Sequence, residues 1–274
     1  MNTITPPGMD RATEDKHRAL WGLGDYGVIA GVVEPLGERL VRAAGVGAHD
    51  RVLDVAAGTG NAAIAAARTG AAVVATDLVP ALLEQGRHRA ATVGVDLGWQ
   101  VANAEELPFG DGEFDIVLSC IGAMFAPHHQ RTADELLRVC RPGGTVAMLN
   151  WTPEGFVGRL FATMRPFVPA PPAGASPPPR WGAEEHVRAL LGDRAADIAV
   201  RREVLHVDCF ADGVTFRDCF KTYYGPTIAA YRAIGTDPAR VDALDCALAE
   251  LGQRALDSTG GMDWEYLVVR ARRR

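Results

Sequence analysis

The sequence predicts an α/β protein, a parallel sheet with helices on both faces. Three observations carry that reading. Short apolar runs of strand length alternate with helical stretches from Arg51 to Trp151. A glycine-rich turn, Gly58 and Gly60 in "VLDVAAGTGN", directly follows the first run. The next run, "AAVVATD", ends on Asp77, 17 residues beyond Gly60.

The elements follow in chain order. Residues 11–45 carry apolar positions at helical spacing, interrupted by Gly22, Gly24 and Gly27. They predict one helix, a turn at "GLGDYG", and a second helix. "RVLDVAA" is a buried strand. "NAAIAAARTG" is a helix stopped by Gly70. "AAVVATD" is a strand, and "VPALLEQGRHRAATVG" a helix with Pro80 allowed in its first turn. "LGWQVAN" and "FDIVLSC" are strands three and four. "HQRTADELLRVC" is a helix ended by "RPGG", and "TVAMLNW" is strand five. Parallel strands joined this way need right-handed crossovers.

Between Arg165 and Arg180 stand seven prolines, which exclude a helix or an inner strand and predict a loop of polyproline II character. "GAEEHVRALLG" reads as a helix and "REVLHVDCF" as a strand. Residues 214–256 read as a helical stretch, and "WEYLVVRAR" as the last strand. No internal repeat is visible. The pattern divides the chain into an N-terminal helical lid (1–45), a core (46–151), and the remaining strands with the proline-rich loop and a helical cap (152–274).

Composition narrows the function classes. The 274 residues are 48% hydrophobic, enough for one large domain with additions. A net charge of −6 speaks against nucleic acid or an anionic membrane as partner. The basic end, Arg270, Arg272, Arg273 and Arg274, reads as a solvated terminus. The N-terminal residues lack the apolar stretch of a secretory signal. No apolar run reaches the ~18 residues of a membrane span. Five widely spaced cysteines without a CxxC predict reduced, mostly buried thiols, a cytoplasmic setting and no metal site. A monomer or a homodimer is expected.

"VLDVAAGTGN" admits two ligands, both at home in a Rossmann-like fold. Gly58, Gly60 and Ala63 fit the G-x-G-x-x-A turn that grips a dinucleotide pyrophosphate. Asp54 to Gly60 fits a loop for S-adenosylmethionine. Asp77 suits the ribose of either. Asp54 separates them: a buried carboxylate repels a diphosphate, whereas the methionine end carries an ammonium it can help to hold. "NAEELPF" after the third strand offers polar groups for an adenine edge.

With these residues in view, the chain resembles the class I S-adenosylmethionine-dependent methyltransferases, in the small-molecule branch that includes the quinone-biosynthesis C-methyltransferases. "VLDVAAGTGN", "VVATDL", "NAEELPF", "DGEFDIVLS" and "LLRVCRPGGTV" stand in that family's order over residues 51–150. "DYGVIAGVVEPLGERLV" and "NWTPEGFVGRLF" look like a bacterial subgroup. The resemblance implies a Rossmann-like seven-stranded sheet with the last strand antiparallel, and S-adenosylmethionine as cofactor. It implies that Asp54, Ala56, Gly58 and Gly60 wrap the methionine and ribose. Asp77 would hold the ribose, Leu78 pack on the adenine, and Asn103 with Ala104 read its edge. Ser119 would meet the ammonium through its backbone. Ala56 replaces a frequent Gly, which is tolerable if its backbone angles are ordinary. Asn103 replaces a frequent Asp and keeps an acceptor. The proline-rich loop and the segment between the last two strands would cover the substrate.

The expected reaction moves a methyl group to oxygen or carbon of a small apolar or aromatic acceptor. The competing readings are a NAD(P)-dependent oxidoreductase and a non-catalytic binding protein. A proton acceptor would help an oxygen or activated carbon nucleophile. His128 and His129, after the fourth strand, are the candidates, the plain alternative being exposed residues that start a helix. Tyr26 could close over the methionine end. Trp21, Met124, Phe125, Tyr223 and Tyr224 could line an acceptor pocket, or simply pack in the core. His17, His88, His186 and His206 read as surface or structural residues.

Overall fold

The computed structural model describes residues 11–171 and 174–274. The first ten residues of the expected lid, and Pro172 of the proline-rich segment, lie outside them. The strands are β1 (Arg51–Val55), β2 (Ala72–Asp77), β3 (Gly98–Val101), β4 (Phe114–Cys120), β5 (Cys140–Trp151), β6 (Ala195–Val207) and β7 (Met262–Arg273). They form one sheet in the order β3-β2-β1-β4-β5-β7-β6. β1 to β5 pair in parallel, and β7 runs antiparallel between β5 and β6. The expected seven strands and antiparallel last strand are both present.

β1 and β4 lie at the centre and are almost wholly buried. That is why they read as mainly apolar runs, broken by Asp54 in β1 and by Asp115 and Ser119 in β4, rather than alternating ones. Helices α4 (Asn61–Ala67), α5 (Pro80–Thr92) and α6 (His129–Val139) are the crossovers. The chain order around β1 reverses direction, β2 lying on one side and β4 on the other. In such sheets the carboxyl ends at that reversal open into a crevice.

The N-terminal region holds three helices, not two: α1 (Arg11–Trp21), α2 (Tyr26–Val32) and α3 (Pro35–Ala44). Pro35 has no N–H to give to the Gly31 carbonyl and its ring crowds it, so the apolar periodicity continues while the helix restarts. α1 buries no residue. α3 buries Leu36 and Leu40 completely. Gly37 lies so close to α4 that a Cβ there would stand 2.3 Å from the Asn61 carbonyl oxygen.

Downstream, α7 (Phe156–Met164) and α8 (Glu184–Leu191) flank the proline-rich segment. That segment contains two short 3-10 turns, Arg165–Phe167 and Pro178–Gly182, where a uniform polyproline loop was expected. Trp181 in the second turn is fully buried and anchors it. The helical stretch 214–256 is α9 (Gly213–Tyr223), α10 (Gly225–Ile234) and α11 (Pro238–Ala255). Asp212 caps α9 through the Thr215 N–H at 2.7 Å, and Asp237 caps α11 through the Arg240 N–H.

β6 begins seven residues earlier than its apolar run. Its first half is an exposed edge held by pairing with β7, so it lacks the hydrophobic signal of an inner strand. The basic terminus is likewise not a free end. Arg273 is the last residue of β7 and donates to the carbonyls of Arg138 and Cys140. All five cysteines are free, but Cys209 and Cys246 are exposed, against the expectation of mostly buried thiols. No described helix is long and apolar enough to cross a membrane.

Gly37→Ala should force α3 away from the first turn of α4 and lower stability by roughly 1–3 kcal/mol. An unchanged urea midpoint would show that the α3–α4 contact has slack.

Candidate active site

A cleft opens at the carboxyl ends of β1, β2 and β4. Its floor is the stretch from Ala56 to Thr59, in the loop that leaves β1 and enters α4. Gly58 (φ 56°) and Gly60 (φ 84°) both adopt left-handed backbone, the conformation glycine permits. At Gly60 a side chain would also strike the Trp99 ring, whose nearest atom lies 2.6 Å from a Cβ built there. Ala56 has φ 55°, contrary to the expectation of ordinary angles. An alanine there costs about 1–2 kcal/mol. Ile121, on the loop after β4, has φ 58°, uncommon for a β-branched residue. Beside it Gly122 presses against Ala56 so closely that a Cβ there would stand 2.0 Å from the Ala56 carbonyl oxygen. The two loops that face the cleft are therefore both held in strained backbone, as recurs at ligand sites.

Asp77 ends β2 and fastens this floor. One carboxylate oxygen accepts the Gly58 N–H at 2.8 Å, the other the Val79 N–H at 2.9 Å. Burial raises its pKa, and the Val79, Gly58 and Leu78 N–H groups pull it back. Each oxygen keeps a lone pair for a ligand hydroxyl. Beneath the floor Asp54 is 1% exposed, and neither of its oxygens has a hydrogen-bond partner among the described residues. Burial pushes its pKa up to about 8. The Ala63 N–H opposes the shift without completing a hydrogen bond, and Asp77 adds to it. Such a carboxyl group is set to be stabilised by a cation.

Arg89 of α5 clamps the loop from the far side. It donates to the Thr59 carbonyl at 2.8 Å, to the Asn61 side-chain oxygen at 2.6 Å, and to Glu34 at 3.0 Å. Nothing in the sequence marks Arg89, because its role depends on where α5 packs. The apolar wall of the cleft is Leu78, Val79 and Leu82, with Ala102, Asn103 and Ala104 beside it. The Asn103 side-chain oxygen accepts the Glu105 N–H at 2.9 Å. The acceptor expected for an adenine amino group is thus already shared with the residue's own turn.

α1 crosses this end of the cleft, with Arg18 Nε donating to the Leu78 carbonyl at 3.2 Å. It brings His17 and Trp21 into the lining. His17 was read as an ordinary residue. Its pKa is lowered by burial, partly offset by Glu105.

A second, smaller cavity shares Tyr26, Val33, Ile121 and Phe125 with the cleft. Its remaining wall is Ile29, Trp151, Val157, Phe220, Tyr224 and Trp264. No charged side chain contributes. The rings pack on one another: Trp21 lies 4.6 Å from Phe125 and 5.9 Å from Tyr224, and Phe220 lies 5.2 Å from Tyr224. Tyr26 stands over Gly58, where the two spaces meet. Burial raises its phenol pKa, with Cys120 and Asp77 adding to the shift.

Of the expected site residues, Tyr26, Ala56, Gly58, Asp77, Leu78, Asn103, Ala104, Trp21 and Phe125 line the cleft, and Tyr224 lines the second cavity. Asp54 and Gly60 support the floor from behind. Ser119 does not reach the cleft. Its hydroxyl donates to the Val55 carbonyl and accepts the Ala123 N–H, both at 2.8 Å, and Cys120 takes the lining position. Met124 is fully buried in the core, and Tyr223 is 36% exposed on the outside of α9.

The histidine candidates also miss. His129 is 2% exposed, packs on Trp181 and pairs with His186 at 2.9 Å. Burial and His186 lower its pKa to about 3. His128 precedes α6 and is tied to buried Glu105 through both its N–H and Nδ1, each at 2.8 Å. Neither lines either cavity, and no described residue of the proline-rich segment lines them.

Comparison with known proteins bears on this arrangement. A family profile described as a methyltransferase domain matches residues 53–148. An uncharacterised protein of Mycobacterium tuberculosis strain H37Rv is 52% identical over 274 residues, the full length of both chains. A demethylmenaquinone methyltransferase of Clavibacter sepedonicus is 42% identical over 106 residues, 38% of this chain and 42% of that one. The solved structure of a geranyl diphosphate methyltransferase in complex with S-adenosylmethionine has a TM-score of 0.52 at 20% identity. It covers 94% of this chain and 95% of that one, a likeness of fold.

Asp54 gives the ligand-free protein a pH signature. Its folded pKa of about 8 lies above the ordinary 3.8, so between those values the folded state holds a proton that the unfolded state has lost. Stability is then fully present below the unfolded pKa and declines as pH rises toward 8, at up to about 1.4 kcal/mol per pH unit. Urea melts from pH 5 to 8 should show this decline, and Asp54→Asn should flatten it. A variant as pH-dependent as the wild type would contradict the assignment.

Proposed function

The chain belongs to the class I S-adenosylmethionine-dependent methyltransferases, and we propose that it methylates oxygen or carbon of a small apolar or aromatic metabolite held in the second cavity. One observation carries the acceptor half of this reading. The cleft shares Tyr26, Val33, Ile121 and Phe125 with a second space, whose described lining is aromatic and aliphatic and carries no charge. Eight of its ten lining residues lie outside residues 53–148. The acceptor therefore has to be read from this chain's own cavity.

The residues of the cleft fit the cofactor. The unpartnered Asp54 carboxylate lies under the loop, where it would favour the methionine ammonium through the floor. Asp77 would accept the ribose hydroxyls on its spare lone pairs. Leu78 and Leu82 would pack on the adenine, with Asn103 and Ala104 at its edge. Tyr26, at the junction, would cover the methionine end. When bound, the cofactor supplies an electrophilic methyl group on a sulfonium. The chain contributes position and the exclusion of water. α1, with no buried residue of its own, would act as the lid.

Titration calorimetry with S-adenosylmethionine, S-adenosylhomocysteine and NADH tests the cofactor assignment. The first two should bind and NADH should not; binding of NADH alone would refute it. Asp77→Ala should weaken S-adenosylhomocysteine by about a hundredfold, the worth of two hydrogen bonds to a carboxylate. Unchanged affinity would remove Asp77 from the ribose.

A further inference from the structure

The hydroxyl of Tyr224 sets apart one wall of the second cavity. Tyr224 is 4% exposed and lines that space. Its hydroxyl makes no hydrogen bond among the described residues. A buried phenol ordinarily finds a partner. Two other tyrosines of this chain do so: Tyr231 donates to Asp245, and Tyr266 donates to Glu203 while accepting from Arg39. The Tyr26 hydroxyl, across the junction, is also without a partner among the described residues. The two phenols are near enough to influence each other, Tyr26 adding to the burial that raises Tyr224.

Tyr26 therefore keeps its hydrogen-bonding capacity where the cavity meets the cleft, and Tyr224 keeps its own in the cavity wall. The buried Trp264 indole N–H also lacks a partner among the described residues, and the rest of the lining is apolar apart from the Trp151 indole. A purely hydrocarbon occupant would leave these hydroxyls unpaired, at a cost comparable to a lost hydrogen bond. A carboxylate or phosphate would be desolvated with no cationic side chain in the described wall to meet it. We propose that the acceptor is an uncharged aromatic molecule bearing a hydroxyl or carbonyl oxygen, and that Tyr224 positions it by a hydrogen bond to that oxygen. Tyr26 would complete the pair from the cofactor side. The proposal rests on the reading of the second cavity as the acceptor site, and it makes Tyr224 a specificity-determining residue.

The test uses 2-naphthol, naphthalene and 2-naphthoate as probes, titrated into full-length protein saturated with S-adenosylhomocysteine, whose own binding is measured first. Wild type should prefer 2-naphthol to naphthalene by about three- to tenfold, one net hydrogen bond, and should reject 2-naphthoate. Tyr224→Phe keeps the ring in the wall, so it should bind S-adenosylhomocysteine normally and lose the preference. A purely structural Tyr224 would leave the preference intact. Equal binding of naphthol and naphthalene by wild type, a retained preference in Tyr224→Phe, tight binding of 2-naphthoate, or no binding of any probe would each overturn the proposal while the cofactor site stands. Failure of S-adenosylhomocysteine to bind wild type would overturn the cofactor reading and this proposal with it.

Discussion

The carboxylate of Asp77 is the tie on which the cleft depends. Its two oxygens accept N–H groups from the loop after β1 and from the start of α5. Together with the Ala57 N–H, which donates to the Thr76 carbonyl at 2.8 Å, that bridge fixes the distance of the glycine loop from β2. The bridge also explains the cost carried nearby. Ala56 and Ile121 hold left-handed backbone, and Gly122 sits against the Ala56 carbonyl with no room for a side chain. Strain of this kind persists only where the surroundings over-determine the conformation. Here Asp77, Arg89 and the Ser119 hydroxyl supply that constraint from three sides.

The second half of the site is assembled from the whole length of the chain. The aromatic cavity takes Tyr26 from α2, Trp151 from β5, Val157 from α7, Phe220 from α9, Tyr224 from the join to α10, and Trp264 from β7. The antiparallel β7 makes this possible, because it returns the chain into the sheet between β5 and β6. The cofactor half needs one contiguous run of strands and helices. The acceptor half closes only when the last strand has been laid down.

That difference decides what could be read in advance. The parallel core was legible because central strands are buried on both faces and their crossovers carry helical spacing. Asp77, Gly58 and Gly60 were legible because their chemistry is local to one turn. Three kinds of feature were not. The first half of β6 lacks a hydrophobic signal because it is a paired edge, and the N-terminal helices share one apolar stripe across the break at Pro35. Ala56 hides its left-handed backbone because alanine carries no signature of φ. The cavity residues are ordinary aromatics until tertiary packing selects among them. Tyr223 and Tyr224 are neighbours, yet one faces outward and the other lines the cavity. His128 and His129 stood at the right edge of the sheet, but Glu105 and Trp181 turn them to other contacts. His17 entered the cleft on a helix whose placement no local pattern records.

A crystal structure of the complex with S-adenosylhomocysteine is the most direct measurement of whether the two spaces form one reaction site. If they do, the adenosine lies against Asp77, Leu78 and Asn103, with the sulfur at the Tyr26–Phe125 junction and its vacant methyl direction pointing into the aromatic cavity. A sulfur directed away from that junction, toward α1 or bulk solvent, would contradict a single reaction site.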